Sequence, residues 1–188
     1  MRRALFSAAV SLIFILLSPI ILAQTLGNEN FPERKAYIIN NCPFLELSGF
    51  SFINRYQNYR NALHTDLSWK NTGSKGITAF EVVVAYYDPF NRPLRQGGRW
   101  LVPGTNSADW RPLMPGKSAT DGLIGYDAEY AFTAFAYVRT ARLEDGTVWT
   151  FKEDEVIGKM RDQLPQIKDF SNVNPKDDSK DAEGKRDK

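Results

Sequence analysis

Three polar residues come nearest to a catalytic arrangement: His64, Asp66 and Ser68. They alternate along a segment that we predict to be extended, so they share one face of a strand and correspond to a base, an orienting acid and a nucleophile. A working triad also needs its hydroxyl on a strained turn, with hydrogen-bond donors converging on the reacting carbonyl, and this segment encodes no such turn. We therefore interpret the three residues as the solvated face of a half-buried strand and expect no catalytic residue. A hydrolase centred on His64 is the enzymatic alternative.

A second group of polar residues offers metal-ligand chemistry. Asp121, Asp127 and Glu129 flank a glycine-containing turn, and carboxylates together with backbone carbonyls are ligands that Ca²⁺ prefers. Their spacing is not that of a known calcium loop, so we interpret them as turn-favouring acids. The chain has one His and one Cys, which excludes His-rich sites and zinc sites with paired cysteines. We expect neither a metal nor a cofactor.

Binding chemistry is concentrated between residues 95 and 111. This stretch contains Trp100 and Trp110, with Arg95 among the basic residues near them. Tryptophan and arginine are enriched at binding hot spots, and an aromatic face also suits sugar stacking. Packing of both tryptophans in a core is the structural alternative. We predict a ligand-binding surface formed by six residues: Arg99, Trp100, Asn106, Asp109, Trp110 and Arg111.

The scaffold that must position these residues is predicted to be made of strands. Apolar and polar residues alternate over residues 63–70, and residues 77–87 are rich in β-branched and aromatic side chains, which favours a long central strand. Asp145-Gly146 is the strongest hairpin signal. The pattern predicts an all-β, antiparallel β-sandwich of seven to eight strands. The expected strands are residues 45–53, 63–70, 77–87, 99–102, 108–111, 118–123, 130–143 and 147–152.

The ends of the chain are predicted to be simpler. Residues 24–44 form an N-terminal lead-in and residues 45–152 the sandwich domain. A short helix and linker follow at residues 153–170, because three acids at the start favour a helix N-terminus and Pro165 ends it. Val156, Ile157, Met160 and Leu164 give the helix an apolar stripe. Residues 171–188 are expected to be a disordered charged tail, since they contain little apolar surface to bury.

The first 23 residues have the order of a secretory signal peptide. Arg2 and Arg3 form a cationic start, residues 4–17 are almost wholly apolar, and Pro19 breaks that run shortly before Ala23, the expected cleavage point. The alternative is an uncleaved anchor, because residues 4–23 are long enough to span a bilayer. Both interpretations place the remainder outside the cytoplasm, in the periplasm or secreted. Cys42 has no intramolecular disulfide partner; we interpret it as a small buried residue, and an intermolecular disulfide is the alternative.

The charge balance excludes one broad class of partner. The 188 residues contain 24 basic and 22 acidic side chains, and the excess lies entirely in Arg2 and Arg3. A nucleic-acid-binding protein usually carries a clear basic excess for phosphate contacts. We therefore expect no nucleic-acid partner and no bulk attraction to an anionic membrane, with membrane contact limited to the signal peptide.

Three segments carry recognisable turn and strand motifs: an Asn-Thr turn within residues 67–77, a strand ending in Tyr-Asp at residues 82–88, and a Leu-x-Pro-Gly turn at residues 113–118. Together they resemble the small extracytoplasmic immunoglobulin-like domains of bacteria, including those grouped as FxLYD-like. The resemblance covers roughly residues 63–151, and the aromatic and glycine-rich stretch 96–110 departs from it. It implies an immunoglobulin-like fold and an extracytoplasmic location, in a family with no general catalytic site.

These observations lead to one functional expectation and one alternative. The chain is expected to be an exported, non-catalytic interaction module of the envelope or periplasm that binds a protein partner through residues 95–111 or through an exposed edge strand. The alternative is a carbohydrate- or peptidoglycan-binding domain that uses exposed Trp100 and Trp110.

Overall fold

Nine strands and one helix make up the described part of the chain. The computed structural model describes residues 24–25, 34–94, 98–126, 128 and 130–174. Within these ranges the elements are β1 (Gln24–Thr25), β2 (Lys35–Ile39), β3 (Leu45–Gln57), β4 (Arg60–Asn71), β5 (Ile77–Tyr87), β6 (Gly98–Pro103), β7 (Ser118–Tyr126), β8 (Thr133–Leu143), β9 (Val148–Thr150) and α1 (Glu153–Gln163).

The strands form two sheets packed as a sandwich, which confirms the predicted all-β fold. One sheet has the order β1-β2-β8-β5-β6, with β9 also paired to β8, and the other has the order β3-β4-β7. Strands β3, β4 and β7 take the places of strands A, B and E of the immunoglobulin plan, and β5, β8 and β9 take those of C, F and G. The chain therefore crosses between the sheets where an immunoglobulin-like sandwich does.

One pairing departs from the antiparallel expectation. β2 runs parallel to β8, with Lys35 opposite Thr133 and Ile39 opposite Tyr137. The expected lead-in thus contributes a strand inside the sheet, and the folded part begins before residue 45. The local sequence of β2 does not indicate which strand it pairs with, because β8 lies almost one hundred residues further along the chain.

The core explains why β5 and β8 are apolar on both faces. In β4 only alternate residues, such as Leu67 and Trp69, enter the space between the sheets. In β5 residues 82–87 are buried consecutively, because the second sheet covers one face and α1 covers the other. Val156 and Met160 of α1 are fully buried against that outer face, which confirms the predicted helix stripe.

Two asparagines join the sheets at one edge. The Asn40 side chain accepts a hydrogen bond from Leu47 N (2.8 Å) and donates to Leu47 O (3.2 Å) on β3. The Asn41 side chain accepts from Val138 N (3.1 Å) and donates to Val138 O (2.8 Å) on β8. Each amide therefore completes backbone pairing in a different sheet, and the adjacent positions link the sheets. Half-buried Cys42 follows them, and burial raises the pKa of its thiol.

A third asparagine, Asn71, joins two of the turns noted in the sequence. It is fully buried and its amide nitrogen donates to Lys75 O (2.8 Å) and Leu113 O (2.7 Å). Its Oδ1 accepts from Gly73 N (2.9 Å), and its backbone carbonyl accepts from Gly116 N (2.9 Å). The Asn-Thr turn and the Leu-x-Pro-Gly turn are thus one hydrogen-bonded unit.

Several predicted strand boundaries change in the structure. β5 has the predicted bounds, and the Asp145-Gly146 turn joins β8 to β9 as expected. β3 and β4 are longer than predicted and meet at a two-residue turn, Asn58-Tyr59, which lacks the glycine that signals such turns. The strand predicted at residues 108–111 is wrong, because these residues belong to a hydrogen-bonded loop.

The C-terminal segment is ordered further than its composition indicates. Residues 164–174 run back over the outer face of β5 and β8, and Val173 is fully buried. The Tyr137 hydroxyl donates to Val173 O, and the Asn172 amide donates to Tyr86 O. The tail therefore cannot begin at residue 171. The expected signal peptide (1–23) and the rest of the expected tail (175–188) lie outside the described residues. Within the part described, no helix has both the length and the apolar character of a membrane span.

Candidate functional site

The connection between β6 and β7 forms a compact loop that carries the most exposed tryptophan of the described chain. We call residues 104–111 the Trp110 loop. Gly104 starts it with a φ of 76°, a left-handed conformation that favours glycine. A side chain at Gly104 would also place its Cβ 2.4 Å from the carbonyl carbon of Trp110. Glycine is therefore required where the loop folds back on itself.

Hydrogen bonds within the loop fix its backbone. The Asn106 Oδ1 accepts from Ala108 N (3.0 Å) and Asp109 N (2.8 Å), which closes a turn that Asn favours. Thr105 N donates to Asp109 O (2.8 Å), and the Thr105 hydroxyl donates to Arg111 O (2.8 Å). These four bonds hold the two ends of the loop together, which is why residues 108–111 do not extend into a strand.

Two further bonds attach the loop to the sandwich. The indole nitrogen of buried Trp69 donates to Thr105 O (3.0 Å). On the other side, Ser107 N donates to the Asp121 carboxylate on β7 (2.7 Å). The loop is thus attached to both β4 and β7.

An ion pair occupies the charged groups of the loop. Arg111 Nε and a terminal nitrogen each lie 2.9 Å from a different oxygen of Asp109. Hydrogen bonding to Arg111 holds the pKa of the Asp109 carboxyl below its ordinary value. The pair is exposed, so it contributes little to stability, but it fixes the direction of the guanidinium.

Trp110 itself is 75% exposed, and its ring nitrogen makes a long hydrogen bond of 3.3 Å to Ser107 O. Beside the loop lies a shallow groove of about 350 Å³. Met114 is 49% exposed there, whereas Leu113 is buried. We call this depression the Met114 groove, and its lining includes Thr105, Asp109, Arg111, Leu113, Met114 and Lys117.

The six predicted ligand-binding residues do not form one surface. Asn106, Asp109, Trp110 and Arg111 come together in the Trp110 loop. Trp100 points into the core, 6% exposed, with its ring centroid 5.8 Å from that of Trp69 in an edge-to-face contact. Successive side chains on β6 point to opposite faces of the sheet, and Trp100 lies on the inner face. It packs between the sheets and cannot also face a ligand. The prediction that both tryptophans are exposed is therefore wrong for Trp100.

Arg99 lies on the opposite face of β6 from Trp100. It binds the Glu81 carboxylate, which also accepts from Arg139 Nη1 at 3.0 Å. Burial of Glu81 favours its neutral form, but the bonds from the two arginines outweigh burial, so the pKa of Glu81 lies below its ordinary value. This group is a largely buried ion network on the outer face of the sheet, separate from the Trp110 loop. Arg95 lies outside the described residues.

The His64, Asp66 and Ser68 row lies on β4 as predicted. Alternate residues on a strand are about 6.6 Å apart, beyond the hydrogen-bond reach that a catalytic triad requires. Ser68 instead bonds the Thr120 hydroxyl across the sheet (2.8 Å), and Ile53 and Ile124 flank His64 in register. The arrangement is that of a partly exposed sheet face.

Of the three acids predicted as a possible metal site, only Asp121 lies within the described residues. The Asp121 carboxylate accepts hydrogen bonds from Ser107 N and Gly122 N. It therefore attaches the Trp110 loop to β7 and bonds the backbone of its own strand. Asp127 and Glu129 lie outside the described residues. Among the residues described, no group of three or more His, Cys, Asp or Glu side chains is placed to hold a metal ion.

Sequence reasoning missed Met114 and Lys117 as site residues. Both lie in the Leu-x-Pro-Gly turn, which the sequence indicated only as a fold signal. The turn is brought beside Thr105 because Leu113 N and O pair with Ile77, and because the Asn71 amide also donates to Leu113 O. Nothing in the local sequence specifies that proximity.

Comparison with known proteins does not assign a family. No family model matches the chain, and no curated protein matches it. A solved structure of a hypothetical protein from Peptoclostridium difficile 630 is similar over 64% of this chain and 92% of its own, with 13% identity and a TM-score of 0.47. An X-ray structure of Northeast Structural Genomics Consortium target SoR45 is similar over 57% and 80%, with 12% identity and a TM-score of 0.35. The resemblance to FxLYD-like domains stays a prediction.

Proposed function

We propose that this chain is a non-catalytic interaction module that recognises a protein partner through the Trp110 loop. The observation that carries the proposal is a 75% exposed indole on a loop whose backbone is held by its own hydrogen bonds. An ordered loop loses little conformational entropy on binding, so more of the contact energy contributes to affinity. Tryptophan and arginine, adjacent here as Trp110 and Arg111, are the residue types that most often dominate binding energy.

The neighbouring groove supports a protein side chain as the bound group. Met114 is flexible and half exposed, and methionine adapts its shape to partners. Arg111 and Lys117 line the same groove and supply hydrogen-bond donors around it. An apolar centre with a polar rim is the usual composition of a protein interface.

Two features support a role without catalysis. Asp109 is the carboxylate of the loop, and its low pKa and ion pair with Arg111 make it a poor proton donor or acceptor at neutral pH. The His64 row lacks the mutual geometry of a nucleophile and its base. An extracytoplasmic location is part of the proposal and rests on the sequence of residues 1–23; the N-terminal residue of the protein recovered from cells, read by mass spectrometry, tests it.

The test of the binding proposal uses a photo-reactive amino acid in place of Met114. We expect a protein adduct in cells that disappears when Trp110→Ala is added. With the partner identified from that adduct and purified, Trp110→Ala should weaken binding about 30-fold, which corresponds to a hot spot of about 2 kcal/mol. Arg142→Ala, an exposed position on β8, is the matched control and should leave the affinity unchanged.

The outcomes also separate protein recognition from carbohydrate recognition. An adduct that persists with Trp110→Ala, or an unchanged affinity, would refute binding through the loop. A soluble glycan that shifts tryptophan fluorescence in the wild type, but not in Trp110→Ala, would favour carbohydrate recognition instead. Trp110→Ala must also keep its melting temperature, because a globally destabilised variant would lose any activity.

A further inference from the structure

The β3–β4 hairpin extends beyond the sandwich at the end opposite the Trp110 loop. Within the described residues, β4 pairs with β7 as far as Ala62, opposite Tyr126, whereas β3 and β4 stay paired to Gln57 and Arg60. Residues 55–61 therefore project as a two-stranded ribbon, which we call the hairpin tip. Trp69, which holds the Trp110 loop, is ten residues along β4 from Tyr59, or about 30 Å at the rise of a strand.

The turn at the tip keeps a tyrosine where glycine fits better. Asn58 and Tyr59 have φ values of 52° and 63°, the left-handed region that two-residue hairpin turns use. A bulky residue in this region is disfavoured by contact between its Cβ and the backbone. The Tyr59 side chain is 95% exposed, so packing within the chain does not offset that strain. Strained, exposed residues cluster at functional surfaces, which points to a contact outside the chain.

The chemistry of the tip fits the headgroup layer of a phospholipid bilayer. Tyr56 is also highly exposed (73%), and tyrosine has an apolar ring with a polar end, as the membrane interface requires. Arg55 and Arg60 flank the turn, and no acid occurs in the sequence between Glu46 and Asp66. Guanidinium groups bind phosphate through paired hydrogen bonds. The segment is therefore complementary in charge to an anionic surface.

The size of the tip favours a lipid surface over a protein. Two fully buried tyrosines would contribute about 400 Å². A specific protein interface buries about 800 Å² on each partner. Insertion of a narrow tip among headgroups needs no comparable area, because surface charge adds to the attraction.

We propose that the hairpin tip docks on an anionic phospholipid surface, with Tyr56 and Tyr59 at headgroup level and the flanking arginines on phosphates. Docking in this way leaves the Trp110 loop about 30 Å from the membrane. The inference does not depend on what the Trp110 loop binds.

Photo-crosslinking of the full chain to vesicles tests the proposal. A photo-reactive amino acid replaces either Tyr59 or Trp110, and lipid adducts are measured by mass spectrometry on vesicles of phosphatidylglycerol and phosphatidylcholine, or of phosphatidylcholine alone. Residues 1–23 are identical in every variant, so differences between positions report which end of the domain meets lipid. We expect about fivefold more adduct from position 59 than from position 110 on anionic vesicles, and about a fivefold decrease with Arg55→Gln. Equal adduct from the two positions, or equal adduct at position 59 on neutral vesicles, would overturn the proposal.

A second variant keeps the test independent of folding. Tyr59→Gly creates an Asn-Gly pair suited to the turn, so the melting temperature should stay the same or rise by a few degrees. With the photo-reactive amino acid at position 56, the same variant should lower the lipid adduct about tenfold, because one of two interfacial rings is lost. An adduct at position 56 that is unaffected by Tyr59→Gly would contradict the inference.

Discussion

The buried side chain of Asn71 provides the sharpest test of how the scaffold positions the Met114 groove. Its side chain makes three hydrogen bonds: it accepts from Gly73 N and donates to Lys75 O within the turn after β4, and it donates to Leu113 O in the turn before β7. Replacing Asn71 with Ala removes all three bonds and leaves the buried carbonyl of Leu113 without this donor. Backbone bonds of Asn71 and Ile77 still connect the turns, and we expect the protein to lose stability.

The structure sets the magnitude of this loss. A typical hydrogen bond contributes about 1 kcal/mol to the free energy of unfolding. Three bonds therefore predict a decrease of about 3 kcal/mol in the free energy of unfolding for Asn71→Ala. For a domain of this size the melting temperature should fall by about 10 °C. Asn61→Ala, at an exposed position on the same strand, should change stability by less than about 0.5 kcal/mol.

Replacing Asn71 with Asp separates hydrogen bonding from packing. The introduced carboxylate has nearly the same shape, but it cannot donate to Lys75 O or Leu113 O and would be buried as a charge. Burial and the two facing carbonyls raise the folded-state pKa of this carboxyl above its unfolded value. Protonation then stabilises the fold, so Asn71→Asp should be most stable below about pH 4 and lose stability as the pH rises.

Equilibrium unfolding in urea, followed by tryptophan fluorescence between pH 3 and 8, measures all three variants. The wild type supplies the reference at each pH, so that changes common to every variant are subtracted. If Asn71→Ala costs no more than Asn61→Ala, the hydrogen bonds of Asn71 do not hold the two turns together. A variant Asn71→Asp whose stability relative to wild type does not depend on pH would refute the burial of the introduced carboxyl.

Two further predictions concern the connections around the sheets. Asn41→Ala should lower the free energy of unfolding by about 2 kcal/mol in urea titrations, because it removes both bonds to Val138 and with them the attachment of the Asn40-Asn41 link to β8. Glu81 has a folded-state pKa below the ordinary value of 4.5, so its bonds to Arg99 and Arg139 stabilise the fold above that pH and are lost as the pH falls through the folded-state pKa. Glu81→Gln should remove this part of the acid destabilisation, and an unchanged acid transition would show that the network is not responsible.

The net charge of the chain illustrates why local arrangement has to be considered separately. The sequence is balanced once Arg2 and Arg3 are set aside, and this argues against bulk attraction to nucleic acid or membrane. The fold nevertheless brings Arg55 and Arg60 to one projecting tip. A neutral chain can carry a local charged surface, because strand pairing decides which side chains become neighbours.

Much of the scaffold could be predicted from the sequence. The alternation over residues 63–70 and the β-branched run at residues 77–87 predicted β4 and β5, because side-chain period and propensity are local properties. The same holds for the helix α1 and for the Asp145-Gly146 turn. Four of the six predicted binding residues also lie together, since they are close in sequence and no long-range contact was needed to place them.

Other features depended on contacts between distant parts of the chain. The sequence cannot distinguish Trp100 from Trp110, because burial depends on which face of β6 meets the second sheet. The parallel pairing of β2 with β8, the burial of Val173 and the place of Met114 beside the Trp110 loop likewise require partners far away in sequence. Local pattern thus determined the strands, the helix and the polar character of the loop. Tertiary structure decided which aromatic side chains remain exposed for binding, because the packing of the two sheets and their connections determines which apolar residues are buried.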